Sequence, residues 1–299
     1  MGDDAPVDGG GLGRSGTPGA SGLIKESDLL IVFGASFSDH TGIAPYKPIV
    51  QVDRDPAALG RFHPVTVPVL GDVGVTADRM RCALTGRAPA AADQRPDVAA
   101  RWAIWREEKR RRAQDAAGRG IASARVFDAL SRIAPADAVV AVDVGNNTYS
   151  FGRYFECRRQ SVLMSGYLGS IGFGLPAAMG AWAAVQADGS GRRVIAVVGD
   201  GGFGPYLGEL TTAVKYGMDI VIVLLENSEL GKISKEQRAA GLEVWQTALH
   251  NPGFAEFAGL CGAWGRRVGL ADELEDALQD ALAQTGPALI EVSSDPDLI

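Results

Sequence analysis

A chain of 299 residues, 46% hydrophobic and 22% charged, is long enough for one or two domains with buried cores. Its formal net charge of −7 leaves no basic surface for nucleic acid. No apolar stretch approaches the roughly 18 residues of a membrane span, and none forms a signal-peptide core.

Residues 1–21 are rich in glycine, serine and proline and predict a flexible tail. Gly11-x-Gly13-x-x-Gly16 satisfies a dinucleotide pattern there, but no strand precedes it. Asp28–Gly34, Pro48–Val52 and Val65–Leu70 read as buried strands, and Val75–Leu84 as a helix. Asp53-Arg54-Asp55-Pro56 closes the second strand, with Asp53 expected as a turn or helix cap. These elements make a domain over 22–87. Residues 88–120 form a linker carrying a charged helix, with Trp102 and Trp105 on it. Its EEKRRR run (Glu107–Arg112) predicts a solvated face with i,i+4 pairs. Cys82, Cys157 and Cys261 have no C-x-x-C spacing, and the three histidines no metal-ligand spacing. Reduced thiols and a cytoplasmic protein are expected.

Residues 121–299 read as a complete α/β domain. A helix (Val126–Ile133) leads to a strand (Ala138–Val142) and an Asx-rich turn, Asp143-Val-Gly145-Asn146-Asn147. A glycine-rich run, Gly166 to Gly174, precedes a long apolar helix. An apolar strand (Val194–Val198) then meets Gly199-Asp200-Gly201-Gly202, an amphipathic stretch (Pro205–Gly217) and a second strand (Ile220–Leu225) that ends at Glu226-Asn227-Ser228. Strand, helix and strand make one βαβ unit, so Asp200 and Asn227 should lie side by side at the carboxyl ends of parallel strands. A strand near Trp264–Val268, a helix (Asp272–Ala283) and a last strand (Ala288–Val292) complete a parallel, doubly wound sheet.

Two ligands compete for the glycine turn. Gly199-x-Gly201-x-x-Gly204 fits a dinucleotide fingerprint, with Glu226 where a ribose-binding acid would sit. Asp200 favours the other ligand, a diphosphate held through a divalent cation. A carboxylate inside a phosphate turn repels the phosphates unless a hard cation stands between them. Mg²⁺ takes six oxygens, commonly from one or two carboxylates and the phosphates themselves. Asp200, the Asn227 amide oxygen and the Glu229 carbonyl supply three.

GDGGF, the EL-TA-VKYG helix and N-x-x-LG-I resemble the thiamine diphosphate superfamily of pyruvate oxidase, acetolactate synthase and pyruvate decarboxylase. Glu226 stands where that family often has asparagine. The resemblance implies bound thiamine diphosphate and Mg²⁺, with Asp200, Asn227 and Glu229 at the metal. It places Gly145, Asn146, Asn147, Gly199, Gly201, Gly202, Leu230 and Gly231 around the diphosphate. Gly169, Ser170 and Ile171 correspond to the pyrimidine-binding segment, with Ile171 as a wedge between the cofactor rings. Glu236 in KISKEQ is similar to the glutamate that reaches the reacting carbon in pyruvate oxidases; a solvated helix residue is the equal alternative. Residues 22–87 resemble half of the family's Rossmann-like central domain, and, as the alternative to a flexible tail, GLGRSGTPGAS resembles the glycine-rich turn midway through that domain. FAD is conceivable there, but Ser36–Thr41 holds no arginine to support it.

The family's activating glutamate belongs to a pyrimidine-binding domain that normally precedes the central domain, and only a short tail precedes residue 22 here. The resemblance therefore implies a 2-oxo-acid-decarboxylating enzyme, of the oxidase or acetolactate synthase kind. It would need a separate chain carrying that domain in a hetero- or homo-oligomer. The alternatives are a truncated or regulatory subunit without turnover, and a nicotinamide oxidoreductase.

Overall fold

A computed structural model describes residues 5–35, 41–87, 92–115 and 118–297. The chain divides into two compact units, Pro6–Trp105 and Arg106–Ile299.

The first unit holds α1 (Pro18–Glu26), β1 (Leu30–Phe33), β2 (Ile49–Asp53), β3 (Val67–Leu70), α2 (Val73–Leu84) and the start of α3 (Arg95–Ala113). Its strands pair in parallel in the order β1-β2-β3. Leu30 and Ile49 form its core with Ile24, Val32, Ile43 and Val65. Asp72 caps α2 by accepting from Val75 N at 3.0 Å. Asp53 caps a turn, accepting from Asp55 N at 2.9 Å.

The segment expected as a tail is tied down. Thr17 is buried; its hydroxyl donates to Gly9 O at 2.8 Å and accepts from Ala20 N at 3.2 Å. The Trp102 indole donates to Asp8 O at 2.7 Å. A boundary at residue 21 would fall inside α1. Thr17-Pro18 is a helix-start pair, threonine at the cap and proline at the first position, and it outweighs the glycine-rich composition around it. Residues 36–40 of the stretch read for an FAD-binding arginine, and 88–91 of the linker, lie outside the described residues.

The second unit contains α4 (Ser123–Ile133), β4 (Val139–Val142), α5 (Asn146–Tyr154), β5 (Ser161–Met164), α6 (Gly174–Asp188), β6 (Val194–Gly199), α7 (Asp200–Phe203), α8 (Glu209–Lys215), β7 (Ile220–Glu226), α9 (Gly231–Ala239), α10 (Phe254–Leu260), β8 (Trp264–Val268), α11 (Leu274–Ala283) and β9 (Ala288–Ser293). Six parallel strands pair in the order β5-β4-β6-β7-β9-β8. Valine, isoleucine and leucine fill β4, β6 and β7, which are buried on both faces, as a helix-covered parallel sheet requires. β4 and β6 are neighbours, yet β4 leads outward to β5 and β6 leads the other way to β7. Their connections diverge and leave a crevice beyond their carboxyl ends.

Two local expectations change, and one strand, β5, had no reading in the sequence. The stretch Pro205–Gly217 is not one helix: α7 passes through a 3₁₀ turn at Gly204–Tyr206, and α8 begins only at Glu209. Gly204-Pro205 and Gly208 interrupt it. β5 is a short, half-exposed edge strand, too brief to read as a buried apolar run. The charged run on α3 is only partly solvated. Glu107 and Glu108 pair with Arg110, Arg111 and Arg112. Lys109 is buried and paired with Asp128 and Glu156. An i,i+4 ladder occupies one face of a helix, and here a lysine on another face meets two acids from elsewhere in the chain.

Candidate functional site

Four strand-end segments of the second unit converge on one cavity of about 430 Å³. The β4–α5 turn brings Gly145, Asn146 and Asn147, and the loop before α6 brings Gly169 and Ile171. The β6–α7 turn brings Gly199 to Gly202, and the turn after β7 brings Asn227, Glu229, Leu230 and Gly231. Of the residues singled out for cofactor or metal, Ser170 alone does not line it; its N–H is turned to Ser165 Oγ at 3.1 Å. Glu236 does not line it either. It sits on the exposed side of α9 in an ion pair with Lys232, and Lys232 does line the cavity.

Asp200 joins the two halves of the βαβ unit. Its Oδ2 accepts from Ser228 N at 2.7 Å, Asn227 N at 3.3 Å and Asn251 Nδ2 at 2.8 Å. Its Oδ1 accepts from Gly201 N at 2.9 Å. Burial pushes this carboxyl up, against the pull of those four donors. Asn227 Oδ1 accepts from Glu229 N at 3.1 Å and closes the turn around Ser228, whose backbone is left-handed at φ 56°. Glu226, in the position noted for its departure from asparagine, accepts from Ser228 Oγ at 2.5 Å and from Asn251 Nδ2 at 3.2 Å.

The walls suit an anion on one side and a cation between. Asn146 Nδ2 and Ser150 Oγ are buried atoms without a protein partner, and both residues line the cavity. The opening turns of α5 and α9 carry backbone N–H groups that an α-helix leaves unpaired. At Gly231 an added Cβ would stand 2.6 Å from Asn146 Nδ2, so any side chain there would push that amide aside. Asp200 and a second buried carboxylate, Asp143, would repel phosphates unless a cation intervenes. Among the described residues no cluster of three or more His, Cys, Asp or Glu side chains could hold a metal ion. A site here must draw on one carboxylate together with amide, carbonyl and ligand oxygens, which suits a hard cation such as Mg²⁺.

The sequence reading missed Asn251 and Ser150, and it named Asp143 only as the opening of the Asx-rich turn, without a role. Asn251-Pro252-Gly253 has the composition of any turn, and Ser150 lies within a helix. In neither does composition mark proximity to the cavity.

Two family models match the chain. "Thiamine pyrophosphate enzyme, C-terminal TPP binding domain" covers residues 143–292, and "Thiamine pyrophosphate enzyme, central domain" covers residues 1–80. YdaP of Bacillus subtilis, whose name describes it as thiamine pyrophosphate-containing, is 34% identical over 289 residues, 95% of this chain and 48% of the relative. The acetolactate synthase isozyme 2 large subunit of Escherichia coli is 32% identical over 98% of this chain and 52% of its own length. Acetolactate synthase 3, chloroplastic, of Brassica napus is 30% identical over 94% and 45%. The chain spans about half the length of the curated relatives it matches.

Proposed function

The chain belongs to the thiamine pyrophosphate enzyme family, and from that premise we propose that it is the thiamine diphosphate- and Mg²⁺-binding chain of a 2-oxo-acid-decarboxylating enzyme. The reading rests above all on Asp200, a buried carboxylate held to the backbone of the Asn227 turn inside a glycine-lined crevice. Asp200, Asn227 and the Glu229 carbonyl hold the metal. Gly145, Asn146, Asn147, Gly199, Gly201, Gly202, Leu230 and Gly231 cradle the diphosphate. Gly169, Ser170 and Ile171 take the pyrimidine half.

The chemistry supplied by bound thiamine diphosphate is a carbanion equivalent that adds to a ketone carbonyl and accepts electrons as carbon dioxide leaves. This chain's residues bind and orient. Helix-terminal N–H groups and Asn146 take up phosphate charge, and Asp200 is held by four donors in the place where the cation is needed. Ile171, 53% exposed at the mouth, offers an apolar edge on which a ring can rest. Glu236 is the candidate acid toward substrate, and reaching the cavity requires it to leave Lys232.

We assign the activating glutamate to a pyrimidine-binding domain outside the two units described, brought to this cavity within an oligomer. Tyr167 and Leu168, beside the mouth, are 73% and 79% exposed, which suits a surface that another chain covers. The substrate class we assign is a small 2-oxo acid such as pyruvate. Calorimetry of the whole chain with thiamine diphosphate tests the cofactor assignment. Binding should require Mg²⁺, vanish with EDTA and be lost in Asp200→Ala. Affinity untouched by either change would overturn it.

A further inference from the structure

Asp143 has no role in the site as described so far, yet every segment of the cavity except the Asn227 turn leans on it. It ends β4 and is 1% exposed. Its main-chain oxygen accepts from Asn147 Nδ2 at 3.0 Å and from Thr148 Oγ1, which fixes the opening of α5. Its side chain reaches the other way. Oδ1 accepts from Val144 N at 2.6 Å and from Gly172 N at 2.8 Å, just beyond Gly169 and Ile171. Its Cβ packs against the first residue of α6: a Cβ added at Gly174 would lie 3.0 Å from it. Oδ2 is a buried atom without a partner, and it rests on Gly202, where any added Cβ would overlap it.

One carboxylate therefore touches the diphosphate turn with one oxygen and the pyrimidine segment with the other. Burial pushes this carboxyl up, against the pull of the Val144, Gly172, Phe173 and Gly174 amides. From this geometry we infer that Asp143 is a positioning residue for the proposed cofactor site, setting the Gly169–Ile171 segment against the Gly199–Gly202 turn. Contacts to the diphosphate do not pass through its Oδ1. Contacts to the pyrimidine ring do, because Oδ1 holds the Gly172 amide on one side of Ile171, while Ser165 Oγ holds the Ser170 amide on the other.

The inference rests on the cofactor reading above, and its test separates the two. Whole chain with Mg²⁺ is titrated by calorimetry with thiamine diphosphate and, separately, with inorganic pyrophosphate, as wild type, Asp143→Ala and Asp143→Asn. Asp143→Ala should weaken thiamine diphosphate about tenfold or more, the loss of one charged hydrogen bond, and leave pyrophosphate within about twofold. Asp143→Asn, which keeps one acceptor oxygen, should recover most of the difference. Equal weakening of both ligands, or no weakening of thiamine diphosphate, would overturn the inference. Wild type that takes pyrophosphate and not thiamine diphosphate would instead overturn the cofactor reading. Amide exchange without ligand then still judges Asp143. Loss of protection confined to residues 169–175 in Asp143→Ala supports the positioning role, and unchanged protection there refutes it.

Discussion

Asn146 carries a buried Nδ2 with nothing to donate to among the described residues. Leaving such a donor unsatisfied costs about 1–3 kcal/mol, so its retention calls for an acceptor that arrives with a ligand. Asn146→Ala is therefore expected to leave the ligand-free chain no less stable in a thermal melt. The same change should weaken thiamine diphosphate with Mg²⁺ about tenfold, the worth of one charge-assisted bond. A drop in melting temperature with unchanged affinity would show the side chain to be structural. Gly231→Ala acts on the same donor from outside, since its Cβ would crowd Asn146 Nδ2 at 2.6 Å. Equilibrium dialysis should show lower cofactor affinity with the far-UV circular dichroism unchanged.

At the scale of elements, α3 and α4 of the second unit are joined by charge. Lys109 is buried between Asp128 and Glu156, and Arg106 adds a second cation to Glu156 at 2.9 Å. Burial pushes Glu156 up, but Lys109 and Arg106 outweigh it and hold the carboxyl below its ordinary value of 4.5. A lowered folded-state value means that the contribution is complete above 4.5 and fades as pH falls through the lowered value. Removing the lysine strands two acids, so Lys109→Ala should lose about 3 kcal/mol in urea unfolding at neutral pH. The deficit should shrink on acidification, and a deficit constant with pH would contradict the pairing. This bridge was not legible in EEKRRR, because composition shows a charged helix but not which of its faces meets another element. Strands β4, β6, β7 and β9 were legible, since each is a largely apolar run of strand length between turn residues, whereas β5 was not. Asp200 and Asn227 were placed together by topology alone, because parallel strands of one βαβ unit end on the same side. Asn251 was not, because 51 residues separate it from the Asp200 carboxylate it donates to, and nothing periodic links them. The dinucleotide reading of Gly199–Gly204 satisfies the spacing but leaves Asp200 without a purpose, and the family match removes it.

Across the whole molecule, the cavity is built entirely within Arg106–Ile299, and its mouth carries apolar residues open to solvent. If another chain covers that mouth, Leu168→Asp should weaken assembly in analytical ultracentrifugation with a co-expressed pyrimidine-domain chain. Pyrophosphate binding to the deeper part of the cavity should be unaffected. Unchanged assembly would move the proposed contact elsewhere. The Asp200 carboxylate, meanwhile, is already fastened to the amides of residues 227 and 228 across the gap between two strand ends. The crevice is thus stitched shut at its base by protein contacts alone. Stripping divalent ions from the empty chain should leave its melting curve where it was, and adding them back with cofactor should raise it only by mass action. An unmoved melting curve would make the proposed metal loading an act of docking onto a finished scaffold, without a folding step of its own.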